Sequence, residues 1–251
     1  SGGGRVADVV SVTGFILSSM PVGDYDRRVV ILSRELGKIA AFAKGARRPN
    51  SHLIGVTRPF IFGTFEVYRG RDSYTIQKAN VTNYFEELVS DLDGVLYGYY
   101  FAELAEYYGR ENLDAADMIN LLYVAFKALV NKSLPNELVR YIYEIRLIAV
   151  NGECPDFFSC AGCGSEKELQ LYSYKENGMY CVECAASSGD GIVLQSSTLY
   201  TLQYIITAPL TKLFNFVVKA DVLNELKKVV NRIEFITFDK HFKSKEMLDI
   251  G

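Results

Sequence analysis

Four of the five cysteines fall into one spacing: Cys160-Ala-Gly-Cys163, seventeen intervening residues, then Cys181-Val-Glu-Cys184. A two-residue gap in a tight turn lets both thiolates of a pair reach one tetrahedral ion, each about 2.3 Å from zinc. Gly162 and Gly164 let the backbone curl around such a centre. Between the pairs, residues 169–174 and 178–180 read as a hairpin turning at Glu176-Asn177-Gly178, because Asn-Gly favours tight turns. Disulfides fit less well, since the opening SGGGRVADVV has no apolar export core and secretion is not expected. A thioredoxin-like pair fits less well too, because neither C-x2-C opens a long helix after a strand. With every position taken by thiolate, no site remains for water. The expected ion is therefore a single structural Zn²⁺ held by Cys160, Cys163, Cys181 and Cys184. Cys154 lies outside the pattern and reads as a packed thiol.

The hydrophobic period splits the rest of the chain. Residues 8–19, 27–34, 37–43, 60–69 and 72–78 are short, rich in β-branched and aromatic side chains, and separated by Gly-bearing turns such as Glu35-Leu36-Gly37 and Gly70-Arg71. Five such strands predict a small barrel; a five-stranded OB-fold leads, with an SH3-like barrel as the rival. From Asn83 the period becomes helical. Asp91 is a predicted N-cap, followed by Leu92, Val95, Leu96 and Tyr99. Helices are also predicted from Asp114, from Asn136 after Pro135, over 197–207 and over 221–240. Their stripes read as core. The predicted organisation is α+β and multidomain: an OB-fold barrel over 1–80, helices over 81–155, a four-cysteine zinc-binding insertion over 156–190 and helices again over 191–251. Ser1 and the glycines after it read as an appended or unstructured end outside the fold. No run is long and apolar enough to span a membrane.

The net charge of −3 hides an asymmetry. Residues 1–80 carry twelve Lys/Arg against six Asp/Glu, while the remaining 171 residues carry fifteen against twenty-four. The basic part suits phosphate, and the acidic part repels it. Within the basic part, the loop Lys44-Gly45-Ala46-Arg47-Arg48-Pro49 follows a predicted strand, with Arg27, Arg28, Arg34 and Lys38 upstream. Cations that meet phosphates release counterions, giving sequence-independent affinity that falls with salt. Of the nearby aromatics, Phe42, Phe60 and Phe65 read as barrel core, while Tyr68 and Tyr74 are open candidates for stacking on bases. There is no G-x4-G-K-[ST] phosphate loop, G-x-S-x-G elbow, H-E-x-x-H helix or deaminase-type zinc motif. His52 and His241 read as solvated, and Asp91/Asp93 and Glu86/Glu87 as helix-start charges. The residues therefore point to a binding protein. A zinc-containing nuclease or nucleotide-modifying enzyme on a barrel platform, and a protein-only adaptor, remain as alternatives.

One ordered set of short motifs runs through the chain: Thr13-Gly14-Phe15-Ile16-Leu17, Gly23-Asp24-Tyr25-Asp26-Arg27, Leu36-Gly37-Lys38, Ala43-Lys44-Gly45-Ala46-Arg47-Arg48, Pro59-Phe60 and Tyr68-Arg69-Gly70. With the cysteine knuckle and the closing Lys243-Ser244-Lys245, this order resembles the RecO family of bacterial DNA-repair proteins over nearly the whole length. The resemblance implies an OB-fold, a helical domain with an inserted zinc knuckle, and a non-catalytic recombination mediator of the RecF pathway. It implies binding to single- and double-stranded DNA and strand annealing. Its implied partners are RecR, the acidic C-terminal tail of single-strand-binding protein and, indirectly, RecA. It also implies a bacterial cytoplasmic, nucleoid-associated location. On this resemblance Arg34, Lys38, Lys44, Arg47 and Arg48, with Arg27 beside them, become the DNA-contact candidates. Lys227, Lys228 and Arg232 become candidates for the cation that meets the tail's carboxylate.

Overall fold

In the computed structural model, which describes residues 8–249, five N-terminal strands close on themselves. The expectation for Ser1 and its glycines lies outside the described residues. The strands are β1 (Val9–Val22), β2 (Asp26–Ser33), β3 (Gly37–Ala43), β4 (Phe62–Arg69) and β5 (Tyr74–Asn83). They run in the closed order β1-β2-β3-β5-β4, with β1 also pairing β4 and only β3 and β5 parallel. This is a five-stranded OB-type barrel. Its interior is filled by Val12, Ile16, Val29, Ile31, Phe65 and Val67, among others. Gly14 explains the first motif: a Cβ there would stand 1.8 Å from the Leu32 carbonyl oxygen, so only glycine lets β1 pass so close to β2. Gly37, at φ 67°, turns the chain from β2 into β3 in a conformation that L side chains rarely adopt.

Three aromatic expectations need correction. Phe42 is not core. In β3 it is Gly37, Ile39, Ala41 and Ala43 that point inward, which puts Phe42 on the outer face opposite Arg28 and beside Thr75. Tyr74 is not free to stack on a base. It is buried in the barrel core, and its hydroxyl donates to Glu111 Oε1 at 2.8 Å. Phe65 is fully buried in the barrel core, as expected, whereas Phe60 is nearly as buried but packs outside that core, against Tyr99 and Phe126.

The chain forms two compact units, one running through Phe126 and resuming at Phe242, the other Lys127–His241. The first holds the barrel together with α1 (Glu86–Val89), α2 (Leu92–Tyr108), the start of α3 (Ala116–Asn131) and α9 (Lys243–Asp249). Asp91 caps α2 as predicted, accepting from Asp93 N. Phe15, Phe60, Phe62, Phe85, Tyr123 and Phe126 form one aromatic cluster, most of their ring pairs edge-on or tilted at 4.9–6.1 Å. The closing Lys-Ser motif also finds its reason here. Glu103 of α2 accepts from Lys243 N and Ser244 N, both at 3.2 Å, and from Ser244 Oγ at 2.6 Å. One carboxylate thus satisfies the amide donors that open α9.

In the second unit, α4 (Asn136–Val150), α6 (Ser196–Thr207) and α8 (Ala220–Thr237) pack against one another. A buried ion pair, Arg140 Nε to Glu144 Oε1 at 3.1 Å, lies along α4. Arg146 Nη1 donates to the Ile205 and Ala208 carbonyls, meeting acceptors that the end of α6 leaves open. Between α4 and α6 in sequence, β6 (Leu169–Ser173), β7 (Gly178–Cys181) and β8 (Ile192–Val193) form a small sheet in the order β7-β6-β8. The β6–β7 hairpin is the predicted one, with Asn177 at φ 47° in its turn; β8 was not foreseen. Four-residue helices α5 (Val182–Ala185) and α7 (Leu210–Leu213) complete the described elements.

Candidate metal centre and nucleic-acid interface

The β6–β7 hairpin brings the two cysteine pairs to one point. The sulfurs of Cys160, Cys163, Cys181 and Cys184 lie within 4.8 Å of one another, and Cys163 Sγ is 3.8 Å from Cys181 Sγ. Ligands about 2.3 Å from a tetrahedral centre stand about 3.8 Å apart, so the spacing suits one ion. The surrounding backbone is arranged for thiolates. Gly162 N and Cys181 N each donate to Cys160 Sγ at 3.3 Å, and Cys184 N to Cys181 Sγ at 3.5 Å. Burial alone raises the Cys160 thiol, but backbone N–H groups of Cys163, Cys181 and Gly162 outweigh it and bring it down to about 6. Gly162 is needed for room as well, since a Cβ there would meet Cys184 Sγ at 2.9 Å. The donor set fits a metal ion. Cys154 is not part of it, and burial pushes its thiol up to about 12. Among the described residues, no other group of three or more His, Cys, Asp or Glu is placed to hold a metal.

The six cationic candidates fall into two groups at opposite ends of the β2–β3 hairpin, separated by the length of β2, roughly 20 Å at about 3.3 Å per residue. At one end, Arg27 pairs with Ala43, so Lys44, Arg47 and Arg48 follow directly beside it. Lys44 and Arg48 are exposed. Arg27 Nη1 donates to Ile54 O and Thr57 Oγ1, at 3.0 and 2.9 Å. Arg47 turns toward the β1–β2 turn, donating from Nε to Asp26 O at 3.0 Å and from Nη2 to the Gly23 and Val22 carbonyls. At the other end, exposed Arg34 donates to Asn120 Oδ1 at 3.2 Å, and Lys38 Nζ to Glu106 O at 2.8 Å. The bonds of Arg27, Arg34 and Arg47 run to neutral oxygens, which position these guanidinium groups. Arg28 and Phe42, paired on the outer face, stand one residue in from Arg27 and Ala43 and so belong to the first end, while Val30 and Leu32, between them and Arg34, are buried.

The homology runs through both units. A family model described as "Recombination protein O N terminal" matches residues 8–85, and one described as "Recombination protein O C terminal" matches residues 89–246. The chain belongs to the RecO family. It is 30% identical to DNA repair protein RecO of Acetivibrio thermocellus, over 95% of this chain and 96% of the relative. It is 28% identical to that of Oceanobacillus iheyensis, over 95% and 92%, and 27% identical to that of Bacillus subtilis, over 94% and 92%. No helix among the described residues is long and apolar enough to cross a membrane.

Within this RecO chain, two features escaped the sequence reading. Tyr25 of the β1–β2 turn is exposed, with the Arg48 guanidinium carbon 3.8 Å from its ring centre. In the second unit, a cleft of about 920 Å³ is lined by Tyr200, Tyr204, Phe216 and Val217, with both Lys219 and Asp221 among its lining residues. Lys227, Lys228 and Arg232 do not line this cleft. Arg232 instead donates to Tyr174 O at 3.2 Å and lies against the Tyr174 and Phe235 rings. The signal that could have found the cleft was the aromatic pair Tyr200/Tyr204 one turn apart, which reads in sequence as ordinary core.

Proposed function

We propose that this RecO chain is a non-catalytic recombination mediator of the RecF pathway in the bacterial cytoplasm, which binds single- and double-stranded DNA through its barrel. It anneals complementary strands, displaces single-strand-binding protein and helps RecR to load RecA. The observation that carries the reading is family membership across both units, joined to a barrel on which neutral oxygens position Arg27, Arg34 and Arg47. A cation already positioned by a carbonyl loses little freedom when a phosphate arrives, and the carbonyl leaves its charge in place for that phosphate. The contact residues are Arg27, Arg34, Lys38, Lys44, Arg47 and Arg48.

The four-cysteine centre is read as structural Zn²⁺, which when bound neutralises thiolate charge and ties the hairpin to its flanking turns. Cys160, Cys163, Cys181 and Cys184 hold it, and the N–H groups of Gly162, Cys181 and Cys184 stabilise the charged sulfurs. The aromatic cleft is the candidate for the acidic tail of single-strand-binding protein: its floor is apolar, Lys219 can meet the terminal carboxylate, and Asp221 is turned to its own helix, accepting from Val222 N.

A pull-down tests the mediator reading. Intact single-strand-binding protein is expected to retain the chain, and the same protein without its last residues is not; equal retention by both contradicts the tail contact. Lys219→Glu is expected to cut capture at least tenfold. Labelled DNA incubated with Mg²⁺ or Mn²⁺ is expected to stay intact, and cleavage that follows the chain through purification would favour a nuclease instead.

A further inference from the structure

The β1–β2 turn is fastened more firmly than an exposed connection requires. Four hydrogen bonds tie it to the loop after β3: Arg47 N to Tyr25 O at 2.8 Å, Gly45 N to Asp26 Oδ1 at 2.7 Å, Arg47 Nε to Asp26 O at 3.0 Å and Arg47 Nη2 to Gly23 O. Arg47 supplies three of the four. What this arrangement displays is the Tyr25 ring, 46% exposed on a held backbone. Arg48 comes from the same loop and lays its guanidinium over one face of that ring. The stack sets a cation on an aromatic ring, in a turn and loop that also carry exposed Asp24 and Lys44. Tyr25 is anchored through its backbone, with one ring face under Arg48 and nearly half of the residue exposed.

We infer that the Tyr25–Arg48 stack is a docking platform for an unpaired base of single-stranded DNA, and that it gives this end of the barrel a preference for single strands over duplex. The inference rests on the proposed DNA-binding role of the barrel. Phosphates are offered alike by single strands and duplex, so cations alone discriminate weakly between them. The faces of bases inside a duplex are already stacked, and only an unpaired base can lie flat on an exposed ring. Because the turn is fastened and the ring partly restrained by Arg48, little of the stacking energy is spent on ordering the protein.

The test compares three probes of equal length: a thymine single strand, the same strand without bases, and a duplex. Wild type is expected to prefer the thymine strand to the base-free one. Tyr25→Ala is expected to lower affinity for the thymine strand by about tenfold, equivalent to about 1.4 kcal/mol, while the base-free strand and duplex change less than about twofold. Tyr25→Phe is expected to keep the preference, since it retains the ring. The chain has no tryptophan, so Tyr25→Trp places its one tryptophan on the platform, where red-edge excitation reads it apart from the tyrosines. Its emission is expected to be quenched by the thymine strand and not by the base-free strand. Equal loss of affinity for all three probes in Tyr25→Ala, or binding of thymine DNA without quenching in Tyr25→Trp, overturns the platform and leaves the barrel's DNA-binding role standing. Failure of wild type to bind any probe overturns that role itself.

Discussion

Arg47 and Gly14 define what single residues do in this barrel. Arg47 entered as a DNA contact, and the fold gives it a second role, since its N–H groups hold the turn that carries Tyr25. Sequence cannot separate the two roles, because an arginine in a basic loop looks the same whether it faces solvent or a carbonyl. Phe42 misled in the opposite direction. Hydrophobicity placed it inside, but the narrow interior at β3 takes the small Ala41 and Ala43, and the alternation of the strand then sends Phe42 outward. Gly14 allows a direct check. Its missing side chain leaves space for the Leu32 carbonyl, so Gly14→Ala is expected to destabilise the chain by about 3 kcal/mol or more in urea unfolding, where an ordinary exposed strand site changes by under about 0.5 kcal/mol.

Among the elements, the cysteine knuckle was the most legible, because tetrahedral coordination dictates its spacing and local turns satisfy it. The hairpin between the pairs followed from Asn177-Gly178. Cys181→Ser is expected to lower bound zinc well below one ion per chain and to raise amide exchange over residues 156–190, read by metal analysis and hydrogen exchange. Full zinc content with unchanged exchange would contradict the four-thiolate assignment. The helix α9 was less legible. Its anchor, Glu103, stands 140 residues earlier in the chain, and no local pattern announces a contact over that separation. Glu103→Ala is expected to free α9, raising amide exchange over residues 243–249 while leaving the barrel strands protected. The edge strand β8 was missed for a similar reason, since two residues carry no period of their own.

At the scale of the whole molecule, the short β-branched and aromatic runs with Gly-bearing turns, and the change of period near Asn83, foretold a barrel followed by helices. The closing order of the strands and the inclusion of α9 with the barrel unit depend on contacts distant in sequence. The charge asymmetry was legible as a total but not as a surface: the basic excess divides between the two ends of the β2–β3 hairpin. That division sets the proposed DNA contacts in two groups about 20 Å apart, with Arg28 and Phe42 belonging to the group that holds Lys44 and Arg48. The most direct test of DNA binding by this surface is the salt dependence of duplex affinity, compared between wild type and Lys44→Glu/Arg48→Glu. Loss of two phosphate contacts is expected to flatten the slope of log affinity against log salt by about 1.8, with affinity falling alike for all sequences. An unchanged slope, with affinity within about twofold of wild type, would contradict a DNA interface at this end of the barrel.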